Sequence, residues 1–189
     1  MQIKNIILAS KSPRRKKLLN LLDLNFKVEV PEVDEVFSES LDVTKVAEYL
    51  ANLKAEAFTN ISSDTVVITA DTVVILDKSI LGKPKNKTEA TKMLQSLSNR
   101  NHKVMTGVCI KSKDKTISFS NTTKVFFKEL TSSEINYYIE NYKPFDKAGS
   151  YGIQEWIGAI GITKIEGSYF NVVGLPINQL YKNLREYFI

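Results

Sequence analysis

The sequence predicts a mixed α/β or α+β architecture, and three features of it carry that reading. Strand-like and helix-like periodicities alternate through the first half of the chain. The run Thr65-Val66-Val67-Ile68-Thr69-Ala70 is continuous and β-branched, the pattern of a strand covered on both faces. Two long alternating segments, His102–Lys111 and Thr116–Phe127, flank the polar turn Ser112-Lys113-Asp114-Lys115 and read as a hairpin. A chain of 189 residues, 43% hydrophobic and 25% charged, can bury a substantial core as a globular protein. No internal repeat, low-complexity tract or long linker interrupts it. The expectation is one domain over residues 1–189, built as two lobes with no separable linker.

The elements follow in order. Ile3 to Ala9 is a short apolar strand that feeds a Ser-rich turn. Ser12-Pro13 has the grammar of a helix start, Ser as N-cap and Pro at the first helical position, with Leu18, Leu19 and Leu22 on the buried side. Phe26–Val30 alternates like a half-buried strand, and an acidic loop follows from Pro31 to Glu39. Val46, Leu50, Leu53 and Ala57 recur at helical spacing, which predicts a helix from about Thr44 to Phe58 with Lys54 beside the stripe. After Ala70, Asp71 interrupts the apolar strand, which resumes at Thr72 and turns at Asp77-Lys78. Leu81-Gly82-Lys83-Pro84 breaks regular structure, and Asn86 with Glu89 caps a helix carrying Ala90, Met93, Leu94 and Leu97. Beyond the hairpin, Thr131-x-x-Glu134 is a capping box for a helix ending near Tyr142. The stretch Asp146–Gln154 mixes two glycines with polar and charged groups and reads as an ordered binding loop. A strand is expected over Ala159–Ile165, and Gly174-Leu175-Pro176 opens a last helix whose stripe is Leu180, Leu184 and Tyr187.

Charge is unevenly placed. The formal net charge is +5, and residues 1–30 hold seven cations against two anions, so the rest of the chain is neutral. Arg14, Arg15, Lys16 and Lys17 crowd the first helical turns, where the macrodipole already disfavours a cation by roughly 0.3–1 kcal/mol. An anion held by free backbone N–H groups, Ser10, Ser12 and the arginines would offset that. A solvated, mildly self-repelling helix start is the other reading of the same charges. The cations bunch without interleaved aromatics, unlike a nucleic-acid stacking platform. Asp71 is a carboxylate inside a buried strand pattern, which calls for a cation, a metal or a raised pKa. The single cysteine, Cys109, excludes an internal disulfide, fits a reducing compartment and reads as a buried structural thiol. His102, the only histidine, reads as structural or capping in preference to a general base. No Cys/His cluster points to zinc, and no Gly-x-Ser-x-Gly elbow surrounds Ser10 or Ser12. No signal peptide or spanning segment is visible, so a cytoplasmic protein with no membrane association is expected.

Taken together, Ala9-Ser10-Lys11-Ser12-Pro13-Arg14-Arg15, Asp34-Glu35, Lys54-Ala55, Ala70-Asp71-Thr72-Val73-Val74, Gly82-Lys83-Pro84, His102-Lys103-Val104-Met105-Thr106-Gly107, Asp146–Gln154 and Gly167–Pro176 resemble the Maf-like nucleoside triphosphate pyrophosphatases along nearly the whole chain. The resemblance implies a Maf/ITPase-like fold: an elongated, twisted mixed sheet flanked by helices, with two lobes around a central nucleotide cleft, often as a homodimer. It implies hydrolysis of a nucleoside triphosphate to monophosphate and pyrophosphate with a divalent metal. Tyr151-Gly152-Ile153-Gln154 looks like the branch acting on dTTP and UTP. In that branch Asp71 corresponds to the proton acceptor, while Arg14, Thr72 and Gln154 match the positions that distinguish substrates. Two departures stand out. Asn99 occupies a position where Gly is common, and Glu155-Trp156 follows Gln154 where small residues are usual.

Cleavage between the α and β phosphates needs charge neutralisation, a positioned water and removal of its proton. Arg14 and Arg15 can grip phosphate oxygens bidentately, Lys54 and Lys83 act as point charges, and Ser10 and Ser12 supply hydroxyl donors. Glu35 and Asp71 are oxygen ligands suited to Mg²⁺ or Mn²⁺. Glu35 as a solvated loop carboxylate and Lys54 as a surface lysine are the competing readings. Gln154 carries a donor and an acceptor on one amide and can read O4 and N3–H of thymine or uracil. Tyr151 or Phe170 stacks on a base or belongs to the core. The basic helix is expected on one wall of the cleft, with Glu35, Asp71, Lys83 and Gln154 on the other, and with Lys16 and Lys17 solvated. The competing functions are a non-catalytic nucleotide- or nucleic-acid-binding regulator, and the same chemistry on a purine or non-standard triphosphate.

Overall fold

A computed structural model of the protein describes residues 5–188. The expected strand start at Ile3 and the cation Lys4 lie outside the described residues. The strands are β1 (Asn5–Leu8), β2 (Lys27–Val28), β3 (Thr65–Leu76), β4 (Ser79–Leu81), β5 (Asn101–Lys111), β6 (Thr116–Phe127) and β7 (Ile162–Glu166). The helices are α1 (Pro13–Asn20), α2 (Val43–Glu56), α3 (Lys87–Leu97), α4 (Ser132–Tyr142), α5 (Trp156–Gly161), α6 (Tyr169–Val173) and α7 (Ile177–Tyr187). Among the described residues the strands form one seven-stranded mixed sheet in the order β2-β1-β3-β5-β6-β7, with β4 paired to β3. β1 runs parallel to both neighbours, Leu8 facing Val28 on one side and Ile68 on the other. β4 and β7 pair antiparallel to β3 and β6.

By compactness the chain divides into two units. The first comprises the chain up to Asp71, Thr106–Asn121 and the chain from Gly174; the second comprises Thr72–Met105 and Thr122–Val173. In the first unit, α2 lies so close to β5 that a Cβ at Gly107 would sit 2.3 Å from the backbone of Ala47 and Glu48. Only glycine fits there, and the helix face turned inward is correspondingly small: Val46, Ala47, Leu50, Ala51 and Ala55 are buried. That face is rotated from the expected stripe. Leu53 is half-buried and Ala57 exposed, because close approach to the sheet selects alanines over the larger apolar residues. Cys109 packs with Ala51 and Ala55 as the structural thiol expected, burial pushing it up to about 11. Lys111 donates from Nζ to the carbonyls of Ala55 and Phe58 at 3.1 and 2.9 Å, capping the end of α2.

In the second unit a core of Val74, Leu94, Val104, Val125, Ile135, Tyr138, Ile157 and their neighbours is buried. The predicted caps are present: Asn86 Oδ1 accepts from the Glu89 N–H at 2.9 Å, and Thr131 with Glu134 forms the capping box. Asn99 adopts a positive φ of 55° just after α3, a conformation that asparagine tolerates nearly as glycine does.

Three local expectations are corrected. Phe26–Val30 yields only the exposed two-residue β2, an edge strand hydrogen-bonded to β1 alone. Ala159–Ile165 is helix α5 followed by β7, since an apolar run this short satisfies both periods and the glycines decide. Gly158 lies against the Ile153 carbonyl and Gly161 against Phe127 and Leu130, both too close for a side chain without displacement. The α7 stripe is Ile177, Leu180, Leu184 and Phe188, with Tyr187 exposed. Within the expected ordered loop over Asp146–Gln154, Ala148–Ser150 forms a short 3-10 turn with Gly149 at φ +68°.

Candidate active site

β1 delivers the chain into the turn Ala9–Ser12, and this turn is built from its own side chains. The Ser12 N–H donates to Ser10 Oγ at 3.2 Å, and the Arg15 N–H donates to Ser12 Oγ at 3.4 Å, so both hydroxyls act as acceptors that shape the helix start. Arg15 is fixed by Nη1 to Ser10 Oγ at 3.4 Å and by Nε to the Gly174 carbonyl at 2.8 Å. Its role is therefore partly architectural, which residue type and spacing do not reveal. Arg14 is half-buried beside it, while Lys16 and Lys17 are exposed, as expected.

The acidic partners come from two other segments of the same unit. Thr69 and Asp71, two apart on β3, share a strand face, and this face meets α2. Thr69 Oγ1 donates to the Ala51 carbonyl at 2.6 Å, and one helical turn on, Lys54 Nζ donates to Asp71 Oδ1 at 2.6 Å. The same ammonium lies 3.0 Å from Glu35 Oε2. Lys54 and Asp71 are 11% and 14% exposed at the side chain, whereas Glu35 is 50% exposed on its loop. Lys54 is thus not a surface lysine: it bridges two carboxylates. Burial lowers the Arg15 guanidinium, and Asp71, then Glu35, oppose that shift by their charge. Glu35 and Asp71 belong to the unit that carries Ser10, Ser12, Arg14 and Arg15.

Thr72 follows Asp71 on β3 and is half-buried; it, Lys83 and Gln154 belong to the second unit, the last two with exposed side chains. His102 is structural, as expected. Its Nε2 shares a 2.7 Å hydrogen bond with Tyr151 Oη, its ring stacks on Phe127, and burial takes its pKa down to about 4. Tyr151 is thereby a core residue, its phenol pushed up by burial, and Phe170 packs edge-on against Tyr169. Around the late loop lies a network with no sequence signal. Tyr138 donates from its hydroxyl to Glu155 Oε2 and accepts the Gly152 N–H at 3.0 Å, and Lys147 Nζ pairs with Asp146 at 2.7 Å and Glu155 at 3.1 Å.

Among the described residues no group of three or more His, Cys, Asp or Glu could hold a metal by itself, and no helix is long and apolar enough to cross a membrane. The Glu35 and Asp71 oxygens converge on the Lys54 ammonium, and these two carboxylates would offer oxygen ligands to a hard divalent ion.

Comparison with known proteins yields close relatives. A protein of Christiangramia forsetii named dTTP/UTP pyrophosphatase is 53% identical, covering 96% of this chain and 93% of its own. Proteins of the same name from Porphyromonas gingivalis and Parabacteroides distasonis are 50% and 49% identical, each over 96% of this chain and 94% and 95% of their own. Among solved structures, the Staphylococcus aureus Ham1 protein matches at a TM-score of 0.48 and 19% identity, over 66% of this chain and 72% of its own. The model of the family described as Maf-like protein matches residues 5–187, and with that match and those identities the chain belongs to the Maf-like protein family.

Proposed function

We propose that this protein hydrolyses dTTP and UTP between the α and β phosphates, releasing the nucleoside monophosphate and pyrophosphate. The observation that carries the reading is the Lys54 ammonium held between Asp71 and Glu35 in the unit that also contains the basic start of α1. The names of relatives at about half identity over nearly the whole chain support the same activity and the same substrates.

In this reading Arg14 and Arg15 neutralise phosphate oxygens, with Ser10 and Ser12 donating their own O–H groups. Lys83 adds a point charge on the polyphosphate. Asp71 accepts the proton of the attacking water, and Lys54 holds that carboxylate in place, as a positioned general base requires. Glu35 and Asp71 would hold a Mg²⁺ or Mn²⁺ ion together with substrate oxygens. When bound, the ion supplies Lewis-acid neutralisation of the phosphates and a more acidic water. Gln154 reads the O4 and N3–H edge of thymine or uracil, and cytosine presents the reverse pattern. Arg14 and Thr72 tune the same choice.

The test is a panel of triphosphates with Mg²⁺ or Mn²⁺ and separation of the products. Pyrophosphate with monophosphate is expected, and dTTP and UTP are expected to be turned over ahead of CTP and the purines. Orthophosphate with diphosphate would overturn the bond assignment, and a purine preference would overturn the substrate.

A further inference from the structure

Gly152–Glu155 is a tight turn, closed by the Glu155 N–H donating to the Gly152 carbonyl at 3.0 Å, and its tip is Ile153-Gln154. Both ends of this turn are fastened to one atom. Tyr138 Oη, on the fully buried side chain of α4, accepts the Gly152 N–H at 3.0 Å and donates its own proton to the Glu155 carboxylate. The second Glu155 oxygen is 3.1 Å from Lys147 Nζ, whose side chain is 9% exposed.

The surroundings leave the turn little latitude. A Cβ at Gly152 would lie 2.8 Å from Gln154 Nε2 and 2.9 Å from Glu155 Cδ, so the Gln154 amide folds back over bare backbone. A Cβ at Gly158 would lie 2.0 Å from the Ile153 carbonyl, so α5 closes the turn from the other side. Trp156, the next residue on, packs against Tyr137 of α4 with ring centroids 4.8 Å apart. A reader of a base edge must present its amide in one orientation, and that orientation is only as fixed as the groups supporting it.

We propose that Tyr138 and Glu155 are positioning residues for substrate choice, holding the turn that presents Gln154 so that its amide discriminates among pyrimidine triphosphates. The inference rests on the proposed reading of Gln154. It predicts an effect that travels through Gln154 and vanishes without it, a signature that general destabilisation does not produce.

The experiment is a double-mutant cycle of Tyr138→Phe with Gln154→Ala, scored as the ratio of kcat/KM for dTTP over dCTP. Phenylalanine retains the ring packing and deletes only the hydroxyl. Tyr138→Phe is expected to lower the ratio about tenfold in the otherwise native protein, the scale of one charge-assisted hydrogen bond, and by less than about twofold in the Gln154→Ala background. An equal loss in both backgrounds, or no loss in either, would overturn the inference and leave the proposed function standing. If the unsubstituted protein releases no pyrophosphate from dTTP or UTP, the proposed function fails and the inference with it. Should Tyr138→Phe not fold, Glu155→Ala carries the same cycle, because it removes both the acceptor of the Tyr138 proton and the partner of Lys147.

Discussion

Asp71 interrupts eleven buried or half-buried neighbours on β3, and its carboxylate is tolerated there because Lys54 meets it at 2.6 Å. Asp71→Asn keeps an acceptor for that ammonium and removes the base, so the fold is expected to persist while kcat falls on the order of 10²–10⁴-fold. Circular dichroism beside product release at saturating dTTP checks this, and retained turnover would remove Asp71 from its role. His102 lends itself to a measurement of a different kind. Its pKa is about 4 in the fold against 6.5 unfolded, so between those values the unfolded chain binds the extra proton and stability rises with pH. The stabilisation is complete above the unfolded value and is lost as pH falls towards 4. Between pH 7 and pH 4.5 this one group removes about 2–3 kcal/mol. The unfolding free energies from denaturant titration at the two pH values should differ by that much less in His102→Gln than in the native protein. His102 and Asp71 were both legible as residue types in unusual settings. Their partners Tyr151 and Lys54 were not, since each comes from a segment remote in sequence.

At the scale of elements, the contact between α2 and β5 governs the site, because α2 carries Lys54 in its last turn. Gly107→Ala would bring a methyl group to 2.3 Å from the α2 backbone, and backbone cannot move aside as a side-chain tip can. The helix must shift, costing about 1–3 kcal/mol by overpacking and moving Lys54 away from Asp71. A lowered urea midpoint together with a kcat loss larger than that of a comparably destabilised core variant is the expected result. The capping signals at Ser12, Asn86 and Thr131 were readable because a cap is local, made by a side chain three residues from the N–H it satisfies. The helical stripes were read less well. Apolar periodicity identifies α2, but which face turns inward depends on the distance to the sheet, and there Gly107 favours Ala47, Ala51 and Ala55.

For the whole molecule, the net charge of +5 is confined to the opening thirty residues, so the long-range field has one source. A polyanionic substrate should feel it at a distance and lose it to screening. Raising salt from about 20 to 200 mM is expected to lower kcat/KM for dTTP about threefold or more with kcat little changed, and Lys16→Glu with Lys17→Glu should flatten that dependence. An unchanged kcat/KM across the series would assign those lysines no steering role. Sequence alone determined the mixed α/β class, the order of the principal helices and long strands, the capped helix starts and the basic opening turn, because each rests on local periodicity, backbone grammar or composition. Tertiary structure decided which charges face each other. Glu35, Lys54 and Asp71 are joined through a loop, a helix and a strand within one unit, and two hydrogen bonds on Tyr138 fasten the turn that displays Gln154. Such pairings depend on distances between segments far apart in the chain, and only the packed sheet and its helices set those distances.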